Sequence, residues 1–353
     1  MFRPIMIIFD RSFTHKAIIT AVCSALALSF VPVSMADEEN SRLYRTRAEK
    51  REAGVKRQWT PWLSTTSFAE LEWLSERLRN PVDEVKSEDT IATLQLAAKL
   101  EPYENLIGEL VLEYDTEKDR VEIDEGALEI EHDDWQLALG KYYLPFGEYY
   151  SNFITDPILQ LGEVRSYATT LSYELKQDVE LSVYGYRSVY DKKMEFGVSL
   201  DSKLFDNAII KLGYINEFTA DEGPSNGGVR TVPALTGHLV WLADDIEVSF
   251  EALGAIKSVS DEDLLRSRPL VWNLELTYIP HPKWDITFRV EGSNDLIEKP
   301  KTQYGIALNT RLHKNVTFGI EALHGCFSNN SHAEDGDAFD HINTLSAQVV
   351  IAF

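Results

Sequence analysis

The chain has 353 residues, 44% of them hydrophobic, with 34 Lys+Arg against 57 Asp+Glu and a net charge of −23. So acidic a chain disfavours nucleic acid and other polyanions, and suits cationic or metal-bearing ligands or simply a well-solvated surface. Its two cysteines, Cys23 and Cys326, supply neither a disulfide framework nor a cluster of thiolate metal ligands.

Residues 1–36 read as a secretory signal. Arg3, Arg11 and Lys16 give a basic front, Ala17 to Val33 are almost continuously apolar, and Ser34-Met35-Ala36 offers a small-x-small cleavage site before Asp37. An uncleaved anchor helix and a lipoprotein signal at Cys23 are the alternatives. Cleavage removes three bases and Asp10, leaving a net charge of −25 and one thiol, Cys326. Residues 37–62 form a basic lead-in carrying Arg42, Arg45, Arg47, Lys50, Arg51, Lys56 and Arg57. They read as a short periplasmic helix, a disordered segment or a small plug entering an acidic lumen. No second long apolar run follows, which excludes helical membrane spans but not a barrel, whose strands carry a weaker hydropathy signal.

From about residue 64 the period is two. Trp284, Ile286, Phe288 and Val290 alternate with Asp285, Thr287, Arg289 and Glu291; a strand puts the two sets on opposite faces, whereas a helix would scatter them. The pattern predicts about sixteen strands, over 64–76, 88–100, 105–115, 120–131, 134–143, 163–175, 178–188, 193–204, 207–217, 232–242, 245–256, 268–279, 283–292, 303–312, 315–325 and 342–353. A phase slip near Gly126 predicts a bulge. The even-numbered strands are followed by tight connections such as His132-Asp133 and Ala243-Asp244, and most odd-numbered ones by long connections such as 144–162 and 326–341. That asymmetry predicts an all-β transmembrane antiparallel barrel over 63–353, with short periplasmic turns and long external loops, in the bacterial outer membrane.

Trp135, Tyr173, Trp241, Tyr278 and Trp284 all lie beside tight turns on the apolar phase, as an interfacial girdle would. The last strand alternates and stops on Phe353, which resembles the terminal strand of bacterial outer-membrane barrels.

With the apolar phase facing lipid, the other phase faces the lumen, because a charge in lipid costs about 2–4 kcal/mol at mid-depth. The pore-lining candidates are Glu109, Glu113, Glu174, Glu195, Glu247, Glu251, Glu275, Arg289, Glu291, Arg311 and Glu321, with Glu70, Glu72, Glu180, Asp285 and Lys211 in the same phase. Such a wall either attracts cations, as carboxylate rings do, or merely keeps the lumen wet. The connection 144–162 is long and aromatic and carries Pro and Gly. Phe146, Tyr149, Tyr150, Asn152 and Asp156 are candidates for an inward-folded constriction loop, with Asn152 and Asp156 open to a polar solute; a cover over a protomer interface is the alternative. The loop 326–341 groups His332, Glu334, Asp335, Asp337, Asp340 and His341, and reads more simply as an exposed acidic loop than as a metal site. No catalytic residues and no cofactor are expected. His238 is the one clear lumen-phase histidine, without an identifiable partner, and no G-x-S-x-G, H-E-x-x-H or phosphate loop is present.

The run Gly140-Lys141-Tyr142-Tyr143-Leu144-Pro145-Phe146-Gly147, continued by Asn152, Thr155-Asp156-Pro157 and Leu161-Gly162-Glu163, resembles the LbtU family of siderophore porins. The resemblance implies a sixteen-stranded outer-membrane barrel that passes ferric siderophores without an energy-coupling partner. Outer-membrane lipid and a small solute such as a ferric siderophore are the partners that follow, with a homotrimer as the common assembly of such barrels. A general cation-preferring porin, an outer-membrane enzyme and a structural adhesin are the competing readings.

Overall fold

The computed structural model describes residues 55–80, 84–188, 192–205, 207–218, 232–258, 268–296, 299–327 and 339–353. The proposed signal, most of the basic lead-in and the His332–Asp337 group lie outside these residues.

Seventeen strands follow in order: β1 (Arg57–Thr60), β2 (Leu63–Arg79), β3 (Glu84–Tyr103), β4 (Leu106–Asp115), β5 (Arg120–His132), β6 (Trp135–Tyr143), β7 (Arg165–Lys176), β8 (Val179–Arg187), β9 (Met194–Phe205), β10 (Ala208–Phe218), β11 (Val232–Ala243), β12 (Ile246–Ala255), β13 (Leu270–His281), β14 (Trp284–Asn294), β15 (Thr302–His313), β16 (Val316–Cys326) and β17 (His341–Ala352). Strands β2 to β17 each pair antiparallel with their chain neighbours, and β17 pairs with β2 through His341↔Arg79 to Ala352↔Phe68. The sheet is thus a closed sixteen-stranded barrel with no free edge. Ser67 and Phe353 complete the seam, each N–H donating to the other's carbonyl at 3.0 and 2.8 Å.

The period-two pattern places these strands because closure buries one phase and leaves the other outside. Leu274, Leu276, Phe288, Val290, Ile306 and Leu308 stand exposed on the outer face, whereas Glu275, Thr287, Arg289, Glu291 and Ala307 are buried within. An apolar belt on the outside of a closed sheet is the inverse of a soluble barrel and requires lipid around it. Trp135, Tyr173, Trp241, Tyr278 and Trp284 point outward beside the tight-turn end. Two-residue connections such as Asp133-Asp134 and Asp244-Asp245 close that end, with Asp133 and Asp244 in the left-handed region that aspartate tolerates.

Two features depart from the sequence reading. Arg57–Thr60, within the basic lead-in, is a short strand folded back on β2, with the Trp59 indole N–H donating to Thr65 Oγ1 at 2.8 Å and the Arg57 guanidinium 4.4 Å from the Trp59 ring. Strand β3 begins at Glu84, four residues before the expected start at 88, because pairing with β2 carries the largely polar run Glu84–Thr90 into the sheet. The expected bulge lies at Asp124, the extra residue where Val111 faces Glu125 and Leu112 faces Ile123. Just beyond it, a Cβ on Gly140 of β6 would lie 2.1 Å from the Gly126 carbonyl oxygen, so this close strand contact admits only glycine.

Candidate functional site: a loop pinned along the inner wall

The connection between β6 and β7, residues 144–164, does not stand out into solvent. It enters the barrel and runs along the inner wall of β11 to β17 near the midpoints of the strands. It then returns through a short 3-10 turn, Ile158–Gly162.

Its backbone is held by carboxylates from successive strands. Glu251 on β12 accepts the N–H groups of Glu148 and Tyr149 at 2.8 and 3.0 Å, and Glu247 on the same strand accepts the Tyr150 hydroxyl. Glu275 on β13 accepts the Ser151 hydroxyl at 2.7 Å and the Asn152 N–H at 2.9 Å. Glu321 on β16 accepts the Ile154 and Thr155 N–H groups at 2.5 and 3.0 Å together with the Thr155 hydroxyl. On the return, Glu291 on β14 accepts the Ile158 N–H at 2.7 Å. A segment this deep in the barrel has lost water from its amides, and each would cost free energy if left unpaired. Carboxylate acceptors supply charge-assisted bonds, about twice as strong as neutral ones.

One cation completes the set. The fully buried Arg289 on β14 donates from Nε to Glu275 Oε1 at 2.9 Å, from Nη1 to the Thr155 carbonyl at 2.9 Å, and from Nη2 to the Ser151 hydroxyl. Its Nη1 lies 3.6 Å from Glu291 Oε1, and its guanidinium sits 4.1 Å from the centre of the Phe153 ring. Buried charge persists only where it is paired and hydrogen-bonded, and Arg289 gives Glu275 and Glu291 that pairing.

Apolar contacts do the rest. Leu144, Phe146, Ile158 and Leu159 pack with Tyr184, Tyr186, Ile215, Ala234, Leu253 and Val271, all inward residues of the neighbouring wall. Further along, Phe153 packs on Ala307 and Leu323. Gly147 has φ +82°, and a Cβ there would lie 2.7 Å from the Tyr149 ring and 2.8 Å from Glu251 Oε1. That left-handed step turns the next two N–H groups onto Glu251. Tyr149, itself at φ 50°, donates its hydroxyl to the Gly162 carbonyl at 2.8 Å and ties the outgoing limb to the returning one.

The remaining lumen-phase residues divide by wall. Glu113, with Gln95 Nε2 at 2.5 Å, and the bulge residue Asp124 are buried on the β3–β5 side. There Arg165, at the root of the returning limb, pairs with Asp124 and approaches Glu122 at 3.5 Å. Glu109 is half-buried opposite Lys99, Glu195 is half-buried and accepts from Asn216 at 2.5 Å, Arg311 is half-buried, and Glu174 is exposed beside a tight turn. Lys211 on β10 pairs with Glu148 of the loop.

The structure corrects one expectation about Asn152. Its amide donates to Thr277 Oγ1 at 2.8 Å, its carbonyl accepts from Asn309 at 2.8 Å, and only 6% of it is exposed, so it faces the wall and not a solute. Asp156, at the far bend, is exposed. His238 has a partner after all: its Nε2 meets Ser249 Oγ at 3.0 Å, but no acid is hydrogen-bonded to Nδ1 to orient the imidazole as a hydrolase would require. Sequence reasoning missed Asp124, Arg165, Asn309 and Thr277. The bulge signal near Gly126 could have flagged Asp124.

A closed sixteen-stranded antiparallel barrel with an apolar outer belt and a loop folded along its inner wall is a porin-type fold, that of outer-membrane barrels of Gram-negative bacteria. The solved structures it resembles include an OmpF–daunomycin complex from Salmonella typhi (9% identity, TM-score 0.65, 85% of this chain and all of that one). They also include the channel DcaP of Acinetobacter baumannii (12% identity, TM-score 0.60, 82% and 97%) and a trimer form of OmpT from Vibrio cholerae (11%, 0.56, 83% and 100%). No family model matches the chain, and no curated relative does either.

Proposed function

We propose that this chain is a passive diffusion channel of the bacterial outer membrane, delivered there by the secretory signal at residues 1–36, and that its solutes are ferric siderophores or related metal complexes. The observation that carries the channel reading is the inner loop, held at mid-height by acids from four strands, a device for narrowing a barrel to a fixed aperture. The finer reading rests on the resemblance of residues 140–163 to the LbtU family. It gains support from the charge arrangement. A wall of free carboxylates would repel an anionic ferric complex, but Glu251, Glu275, Glu291 and Glu321 each accept backbone N–H groups of the loop. Those amide dipoles offset their field. A homotrimer is proposed by analogy with the trimer form of the Vibrio protein.

The half-buried Glu70, Glu72, Glu109 and Glu129 of β2, β4 and β5 favour a second reading, a general cation-preferring porin. Conductance and ion selectivity of the refolded protein in a planar bilayer, with and without a ferric siderophore, separate the two. A ferric complex that blocks the channel or permeates it supports the first reading. A cation-preferring channel indifferent to the complex supports the second. A folded, inserted protein without conductance rejects both.

A further inference from the structure

The tight-turn end of the barrel carries aromatics; the opposite end carries, on its outer face between β16 and β17, a group of another kind. His324 and Cys326 are two residues apart on β16 and therefore share its outward face, the face of Ile320 and Ala322. The β16–β17 register sets Cys326 opposite His341 and His324 opposite Asn343. One ligand atom from each of His324, Cys326 and His341 lies within 4.8 Å of the others. We propose that these three side chains form a site for a borderline-to-soft divalent transition metal of the Zn2+ class, at the external rim of the barrel wall.

The geometry argues for a metal more than for a chance cluster. Cys326 Sγ lies 3.6 Å from His324 Nε2. With Zn–S about 2.3 Å and Zn–N about 2.0–2.1 Å, a tetrahedral ion holds its sulfur and nitrogen ligands about 3.6 Å apart. The other nitrogen of His324, Nδ1, lies 2.8 Å from Asn343 Oδ1. That bond fixes Nδ1 as the donor and leaves the Nε2 lone pair directed at the thiol, the second layer of contacts that metal-binding imidazoles use. The His341 ring stacks on that of His324, centroids 5.4 Å apart, so a small side-chain rotation brings its nitrogen to the ion. Tyr304 of β15 flanks His324 on the other side at 5.2 Å.

A thiolate and two imidazoles select Zn2+, Co2+ or Ni2+ over Mg2+ and Ca2+, and three protein ligands leave a fourth position for water. On binding, the Cys326 thiol gives its proton to solvent and the sulfur lone pair forms the metal bond, with no redox change. The bound ion would clamp both roots of the connection 327–340, whose flanking residues are Cys326 and His341.

One thiol is no cluster of thiolate ligands, but strand pairing across fifteen residues brings His341 to the His324–Cys326 pair.

The test is a Co2+ titration of the processed, tag-free barrel folded in detergent. The proposal expects one equivalent bound, with a near-ultraviolet sulfur-to-cobalt charge-transfer band and visible bands of a four-coordinate ion, all bleached by Zn2+. Cys326→Ser, which keeps the heat-modifiable electrophoretic shift of a folded barrel, loses the charge-transfer band. His324→Ala and His341→Ala each weaken Co2+ at least about tenfold, and Asn343→Ala weakens it about tenfold through the imidazole it orients. Absence of a charge-transfer band in the folded wild-type protein overturns the site, as does affinity unchanged in either histidine variant.

Discussion

The two inner walls of this barrel use the same residue type for different purposes. Along β12–β16, buried carboxylates receive backbone N–H groups of the 144–164 loop and one guanidinium, that of Arg289. Along β3–β5, Glu113 and Asp124 are just as buried, yet their partners are side chains of the wall and of β6 and β7: Gln95, Tyr143 and Arg165. In the first region acids hold a foreign segment in place; in the second they knit the wall itself. An inward acidic phase therefore says where carboxylates point and nothing about what they face.

The comparison can be broken most forcefully at Arg289. Replacing it with Met strips Glu275 and Glu291 of their cation while leaving both buried, a loss of about 3–5 kcal/mol; the folded barrel should then unfold at markedly lower urea, and unchanged resistance would show that the amides alone suffice. A charge on the opposite face tests the belt: Leu274→Lys should cost about 2–4 kcal/mol in lipid, read from the same unfolding curve in bilayers, whereas an equal cost in a detergent that solvates lysine would deny a lipid-facing belt. Glu321→Ala removes the acceptor of two amides and a hydroxyl, about 3 kcal/mol of local anchoring. That change should expose residues 150–158 to protease and leave the barrel folded. Gly147→Ala should destabilise the loop by about 1–2 kcal/mol, through its φ and its contacts with Tyr149 and Glu251, seen as faster proteolysis of the same segment. The smallest effect belongs to Tyr150→Phe, which removes the hydroxyl donated to Glu247 and should cost about 1 kcal/mol. It sharpens the comparison by asking whether one side-chain bond matters beside the backbone ones.

The sixteen barrel strands were legible because their signal is local. Alternation over ten residues fixes each strand, and the asymmetry of turns and loops fixes which end is which. Arg57–Thr60 escaped notice because four residues carry too little alternation, and the early start of β3 because a polar run has none to show. The candidate site was legible only in part. The phase placed Glu251, Glu275, Glu291 and Glu321 inside, and the aromatic loop stood out by composition. Their meeting did not, since Tyr149 and Glu251 are separated by 102 residues and Thr155 and Glu321 by 166. For the same reason the sequence suggests a solute contact for Asn152, whose partners Thr277 and Asn309 lie 125 and 157 residues away.

We propose that the 144–164 loop, held along the inner wall by this carboxylate set, fixes the aperture. Single-channel conductance of the Glu275→Ala/Glu321→Ala variant against the wild type, in the same planar bilayer, tests it most directly. A loop released from β13 and β16 predicts a larger conductance with frequent transitions between sub-states. A folded variant with the wild-type conductance and the wild-type noise would contradict it.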